Sequence, residues 1–359
     1  MKPATFASRW QQRLSKLPIW GFTLVLICLA VIKGGFTINA LIPEPLSNYP
    51  TPPSTFSSTS YGLRTLAWVL RMDFPGSYVV LGLIITAIAL ATITWAVRRT
   101  SQTDDSRIIL IFTLLGPVTL ILLNNIGRHD ALMILGGSIL GLLGRNWIWA
   151  LVGAFIMVSA NPEQAAVASI LLLLLTFAPQ LSKWRLGAGI AVGLSAVASI
   201  TIGLWAHSVG VESRIGFITG LLGNSFYQFF GNFPLSVYAG YGITWVVVIW
   251  VTREASIVFR WLIGVALIAI PFFLTAITLD QTRVFVGLTT AAILAVLVTF
   301  IPRMREASIA AGYVNPLFWT FAAALFLPAV EVWSKGYVRV PYAWFFVEIV
   351  PQIKTLLLG

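Results

Sequence analysis

Apolar residues in this chain come in long runs, and polar residues come in short knots between them. The runs fall near residues 18–36, 76–97, 107–124, 130–144, 146–160, 164–181, 186–206, 236–251, 261–278, 284–301 and 316–330. A helix crossing roughly 30 Å of hydrocarbon needs about 20 mostly apolar residues. The pattern therefore predicts an all-α, polytopic membrane helix bundle of about 11 spans, with a range of ten to twelve because runs 130–144 and 146–160 are short. A last apolar stretch, 341–359, contains Glu348, Pro351 and Lys354 and reads as an interfacial or partial span. No composition break separates a soluble unit, so residues 1–359 read as a single membrane domain, and no internal repeat stands out.

Composition strengthens this picture. Hydrophobic residues make up 58% of the chain and charged ones 10%, against roughly 25% charged in a soluble domain; mean hydropathy is +0.90. The formal charge of +11 raises the question of nucleic acid. Basic residues here stand in ones and twos between apolar runs, not in the solvated tracts that bind nucleic acid, so none is expected as a partner. The bilayer is the expected surrounding. The N-terminal MKPATFASRWQQRLSKLPIW resembles the charged part of a signal peptide, but no small-residue cleavage site follows, and a retained first span is expected. The lone Cys28 excludes an intrachain disulfide framework and a multi-cysteine metal site.

The short loops set an orientation. With the N-terminus inside, 14 of the 23 Lys and Arg residues and only 4 of the 12 acids fall on the inner side, as the positive-inside rule requires of a cytoplasmic face. Localisation is then multi-pass in the cytoplasmic (inner) membrane. Two outer segments are long. In 37–75 a Pro/Ser/Thr-rich half precedes YGLRTLAWVLRMD, whose Leu63, Leu66, Ala67 and Leu70 share a helical face away from Arg64 and Arg71. That pattern predicts an amphipathic surface helix. Segment 207–235 is rich in Gly and aromatics and reads as re-entrant or interfacial.

Three polar knots share the outer side. NNIGRHD, Asn124 to Asp130, sets a fixed cation (Arg128), an imidazole (His129) and a carboxylate (Asp130) within one turn. Arginine binds phosphates and carboxylates through paired donors, and Asp or His can move protons. A capped hairpin, with Asp130 as N-cap and Arg128 snorkelling, accounts for the same residues. NPEQ, Asn161 to Gln164, is a complete helix start that needs no function, yet Glu163 stands in it as a further acid. In LDQTR, Asp280 can cap the next helix, whereas Arg283 lies in its first turn, where a cation is disfavoured. Arg283 therefore calls for an anionic partner: Asp280, Asp130, Glu163 or a substrate. Weaker groups are His207, Glu212 and Arg214, then Tyr227 and Gln228, whose aromatic setting suits a sugar ring or merely an interface. Glu331, Trp333, Lys335, Tyr337 and Arg339 form an outer patch that solvation explains equally well.

No GxxxxGK[ST], HExxH, GxSxG or cysteine pair occurs, which removes support for an ATPase, a zinc protease, an α/β-hydrolase or a redox protein. No cofactor and no metal are expected.

With many spans, modest outer loops and the knots GRHD (Arg128, Asp130) and LDQTR (Asp280, Arg283), the chain resembles bacterial Wzy-type polysaccharide (O-antigen) polymerases. It also resembles other integral membrane glycosyltransferases that use polyprenyl-linked sugars. Glycosyltransferases of the GT-C class place a catalytic acid, often paired, in the first outer loop; here that loop offers Glu44 and Asp73, each isolated, which favours the polymerase-like version. The resemblance implies glycosyl transfer for cell-envelope polysaccharide biosynthesis at the extracytoplasmic face, with a polyprenyl-diphosphate-linked saccharide as donor. Partners in polysaccharide export or chain-length control would follow. Arg128 and Arg283 would take the diphosphate. Asp130 would be the base, with Asp280, Glu163 and His129 behind it, and Asn124, Asn125, Gln281 and Tyr227 would be further substrate-binding groups. Two other classes stay open: a transporter or channel for a small or anionic substrate, although the span centres carry little beyond Thr176, Thr201 and Thr275, and a non-catalytic assembly subunit.

Overall fold

Proline, glycine and short polar side chains stand between the apolar runs, and several of them end or bend a helix. A computed structural model describes residues 3–38, 60–72, 75–208, 214–278, 280–332 and 342. Most of 37–75 including Glu44 and Asp73, Glu212, the Trp333–Arg339 patch and 341–359 apart from Tyr342 lie outside them. The helices are α1 (Pro3–Lys16), α2 (Ile19–Gly34), α3 (Gly62–Val69), α4 (Pro75–Thr100), α5 (Thr103–Leu114), α6 (Pro117–Asn124), α7 (Asp130–Leu143), α8 (Trp147–Ala160) and α9 (Pro162–Leu175). A 3-10 turn, Pro179–Trp184, leads to α10 (Arg185–Ser208), α11 (Arg214–Gly231) and α12 (Phe233–Tyr241). Then come α13 (Trp245–Glu254), α14 (Ile257–Ile263), a π-helical turn Gly264–Ala269, α15 (Ile270–Ala276), α16 (Gln281–Ala310) and α17 (Pro316–Phe326). The described residues hold no strand, only an isolated bridge between Ile38 and Ile126.

The breaks have local causes. Pro18 precedes α2 in an extended conformation and lies at a 115° bend between α1 and α2. Gly116–Pro117 lacks a donor to continue α5, and α6 leaves at 49°. Asn146 caps α8 by accepting from Ile148 N at 2.9 Å, and Asn161 caps α9 by accepting from Gln164 N at 3.0 Å, with Pro162 at the first helical position.

Among the described residues, five helical stretches are long and apolar enough to cross a membrane: Gly76–Thr100, Pro179–Trp205, Phe233–Glu254, Ile257–Ala276 and Gln281–Ala310. The bent pairs α1–α2 and α5–α6 raise this to seven. Each run read from the sequence is a helix or a helix pair, but α7, α8, α9 and α17 are short. At 14 residues, α7 to α9 reach about 21 Å at 1.5 Å per residue. The protein is an all-helical membrane protein.

Helix α16 is the axis of the bundle. From Gln281 to Ile301 nearly every side chain is buried, as expected of a helix apolar on all sides. Helix α7 packs on it so closely that a Cβ on Gly141 would lie 2.4 Å from the Ala291 carbonyl oxygen. On its other face, a Cβ on Gly136 would lie 2.5 Å from the Gly153 oxygen of α8. Small residues let backbones meet where lipid supplies no hydrophobic drive between helices.

One expectation needs correction. The buried face of α3 is Leu63, Arg64 and Ala67, while Leu66 and Leu70 are exposed. Gly62 seats α3 directly against Ser159 of α8, and that contact turns Arg64 inward. Segment 207–235 contains an 18-residue helix, α11, anchored through Phe229 on Phe272 and Phe233.

Candidate functional site

The turn between α6 and α7 holds the first charges. Arg128 N donates to Asn125 O at 3.0 Å, closing the turn with Gly127 in the left-handed region at φ 92°. Helix α4 covers this turn through Gly82, where a Cβ would lie 2.6 Å from Gly127 N. His129 occupies the N-cap position without a side-chain cap bond, and Asp130 is the first helical residue, not the cap. The positive end of α7 suits its carboxylate.

The start of α16 faces it. Asp280 occupies the N-cap position but makes no side-chain cap bond; its carboxylate instead accepts from Arg283 Nη2. Arg283 Nε lies 3.5 Å from Asp130 Oδ1. The Arg283 side chain is 18% exposed and that of Asp130 8%, so this cation, anomalous by its helix position, is neutralised by two acids from two sequence knots.

A third strand of chain completes the cluster. Asn124 Nδ2 donates to Glu331 Oε2 at 2.9 Å. Val332 docks on α16 by exchanging bonds with Thr282, its N–H donating to Thr282 Oγ1 at 2.8 Å and its carbonyl accepting from Thr282 N at 3.2 Å. Arg128 feels all of these groups. Burial and the nearby Arg283 guanidinium lower its pKa, while Asp130, Asp280 and Glu331 partly restore it. Two guanidinium groups thus share a region with three carboxylates.

Sequence knots GRHD and LDQTR meet, and NPEQ lies beside them. Gln164 Oε1 would be 3.3 Å from a Cβ on Gly287, one turn below Arg283, and Met133 Cγ 3.6 Å from the same point. Glu163 itself is exposed. Other expected substrate-binding residues are engaged in the fold: Asn125 Nδ2 donates to Ile121 O at 3.2 Å, and buried Gln281 accepts from Ser236 Oγ at 2.8 Å. Tyr227 is 81% exposed on α11, and no described hydrogen bond or ion pair ties it to the cluster.

Two charged groups at this end have buried atoms without a hydrogen-bond partner among the described residues. One is Asp130 Oδ2. The other is Arg64, whose three guanidinium nitrogens all lack one although the residue is 3% exposed. Buried polar groups are nearly always satisfied, so each orphan needs a reason. Arg64 lies within electrostatic reach of Tyr78, one turn before Gly82 on α4. Sequence reasoning missed Arg64, set on the polar face of an amphipathic helix, and gave Glu331 to a surface patch; neither position carries a local signal of burial.

The arrangement offers a buried carboxylate oxygen that can accept a proton or hydrogen bond and a neighbouring half-buried Arg128, while Arg64 stands beside Tyr78, one turn of α4 from the Gly82 that covers the cluster. Among the described residues no group of three His, Cys, Asp or Glu is placed to hold a metal ion. Compared with protein-family models, curated proteins and solved structures, the chain finds no match in any of the three.

Proposed function

We propose that the protein is a polymerase-like membrane glycosyltransferase that uses polyprenyl-diphosphate-linked sugars at the extracytoplasmic face of the inner membrane. The observation that carries the reading is Asp130. One of its oxygens faces Arg283, and the other is buried with no partner among the described residues. In the proposed step Asp130 takes the proton of an acceptor sugar hydroxyl. The hydroxyl oxygen bonds to the donor's anomeric carbon as the bond from that carbon to the phosphate oxygen breaks, and the polyprenyl diphosphate leaves. Cations that stabilise the departing charge lower the barrier. Arg128 and Arg64, whose guanidinium has no hydrogen-bond partner among the described residues, take that role here. Arg283, held by Asp130 and Asp280, positions the base instead.

The same reading takes about 11 crossings with the N-terminus cytoplasmic. It is supported by the basic residues at the other end of the bundle, where Lys16, Arg98 and Arg107 line one cleft and Arg305 pairs with Asp105 of the adjoining helix. The short helices α7 to α9 cross within the bundle, sheltered by α4, α10 and α16.

The test is purified protein with a labelled lipid-linked oligosaccharide. Asp130→Asn, which keeps the shape and removes the base, should abolish chain growth while the protein stays folded. Undiminished chain growth in that variant, or wild-type flux of the lipid-linked sugar into liposomes without chain growth, would overturn the assignment.

A further inference from the structure

At the end of the bundle opposite the Asp130 cluster, we propose that the cleft between the α1–α2 elbow and the α4–α5 turn binds the phosphate of an anionic membrane phospholipid. The cleft has a volume of about 440 Å³ and is lined by Lys16, Ile19, Trp20, Arg98, Ser101 and Arg107, among others. It exists because α1 leaves α2 at 115°, which opens a gap that the turn after Arg99 closes from below.

The cations in it are unequally committed. Arg107 has a side chain only 4% exposed. It donates through Nη2 to Leu17 O at 2.7 Å and through Nη1 to Thr103 O at 3.4 Å, with Asp104 at 3.5 Å. Its Nε is buried without a partner among the described residues, as is Ser101 Oγ. Lys16 and Arg98 are exposed, and neither has an ion-pair partner among the described residues. The other acid of the turn, Asp105, is already taken by Arg305 at 2.6 Å. Three cations against Asp104 leave the cleft positive, with two donors unspent.

Depth and shape select a lipid. Helix α1 is amphipathic, with Phe6 49% and Trp10 39% exposed and Arg9, Arg13 and Lys16 along it, the composition of a helix that lies in the headgroup plane. It is pinned there by Phe318 of α17, whose N–H donates to Gln11 Oε1 at 3.0 Å. From the cleft, α2 runs on through exposed Trp20 and Leu24, an apolar track for acyl chains directly below a phosphate-sized basic gap. Basic pockets between membrane helices at headgroup depth bind anionic lipid heads.

The experiment uses the full chain in a neutral detergent, with phosphatidylglycerol, phosphatidylcholine or inorganic phosphate added. Native mass spectrometry counts retained lipid, and the thermal midpoint reports stabilisation. Phosphatidylglycerol should be retained and should raise the midpoint, and the double variant Lys16→Gln/Arg98→Gln should bind it about 30-fold more weakly. Because both side chains are exposed, the lipid-free midpoint of that variant should match wild type. Lys183→Gln, which removes an exposed cation outside the cleft, should bind as wild type. Equal retention of phosphatidylcholine, an equal response to inorganic phosphate, or full binding by the double variant would each overturn the proposal.

Discussion

Arg283 Nε, in the first turn of α16, stands 3.5 Å from Asp130 Oδ1, in the first turn of α7. Two residues 153 positions apart, each entering its helix from the same end, thus explain one another. The acid suits its helix terminus and the cation does not, so the pair exists for what it holds together. Removing one partner of a buried pair costs far more than the pair contributes.

Arg283→Ala should still insert into membranes but lose about 3 kcal/mol of stability, because Asp130 is left charged and buried. The second substitution, Asp130→Ala on that background, should restore part of the loss. Thermal midpoints of the two single variants and the double variant in detergent measure this coupling; additive effects would disprove the pairing.

Arg64→Leu separates stability from activity. An uncompensated buried guanidinium is costly, so an apolar residue of similar reach should raise stability by about 1 kcal/mol or more. Chain growth should fall sharply if that guanidinium takes the donor's phosphates. A variant that is more stable and fully active would remove Arg64 from the site.

Packing along α16 is tested by Gly141→Val. Its branched side chain would collide with the Ala291 backbone, which cannot move away like a flexible side chain. A loss of about 2 kcal/mol is expected from forcing α7 off α16, read as a lowered midpoint. An unchanged midpoint would mean the helices are less closely seated.

At the far end, Arg305→Ala should destabilise by a similar amount through the stranded Asp105, whose side chain is 2% exposed. Its effect on chain growth should be no more than its effect on the amount of folded protein. A selective loss of activity would show that the two ends are coupled.

The helices were legible in the sequence because lipid imposes a strong rule: backbone groups must be satisfied within each run. Asn161–Pro162 marked the start of α9, since capping acts locally, whereas 107–124 was read as one run and its bend at Gly116–Pro117 was passed over. The meeting of Asp130 with Arg283 was legible only as one possibility among four, because helix order around a bundle is not encoded in hydropathy. Arg64 was misplaced for a specific reason. Its helix packs through Gly62, so backbone proximity and not side-chain polarity decided which face turned inward. Gln281 and Asn125 looked available because a sequence does not show that Ser236 and the Ile121 carbonyl already occupy them.

Helix α16 carries the Asp130 partner Arg283 in its first turn and the Asp105 partner Arg305 near its last. The stretch from Gln281 to Ile301 runs without a proline and is about 30 Å long at 1.5 Å per residue. It works as a single stiff axle whose two ends are each clamped by an acid on another helix. Pro302, just before Arg305, interrupts that axle, so the Arg305 clamp can yield without turning the end that Arg283 holds.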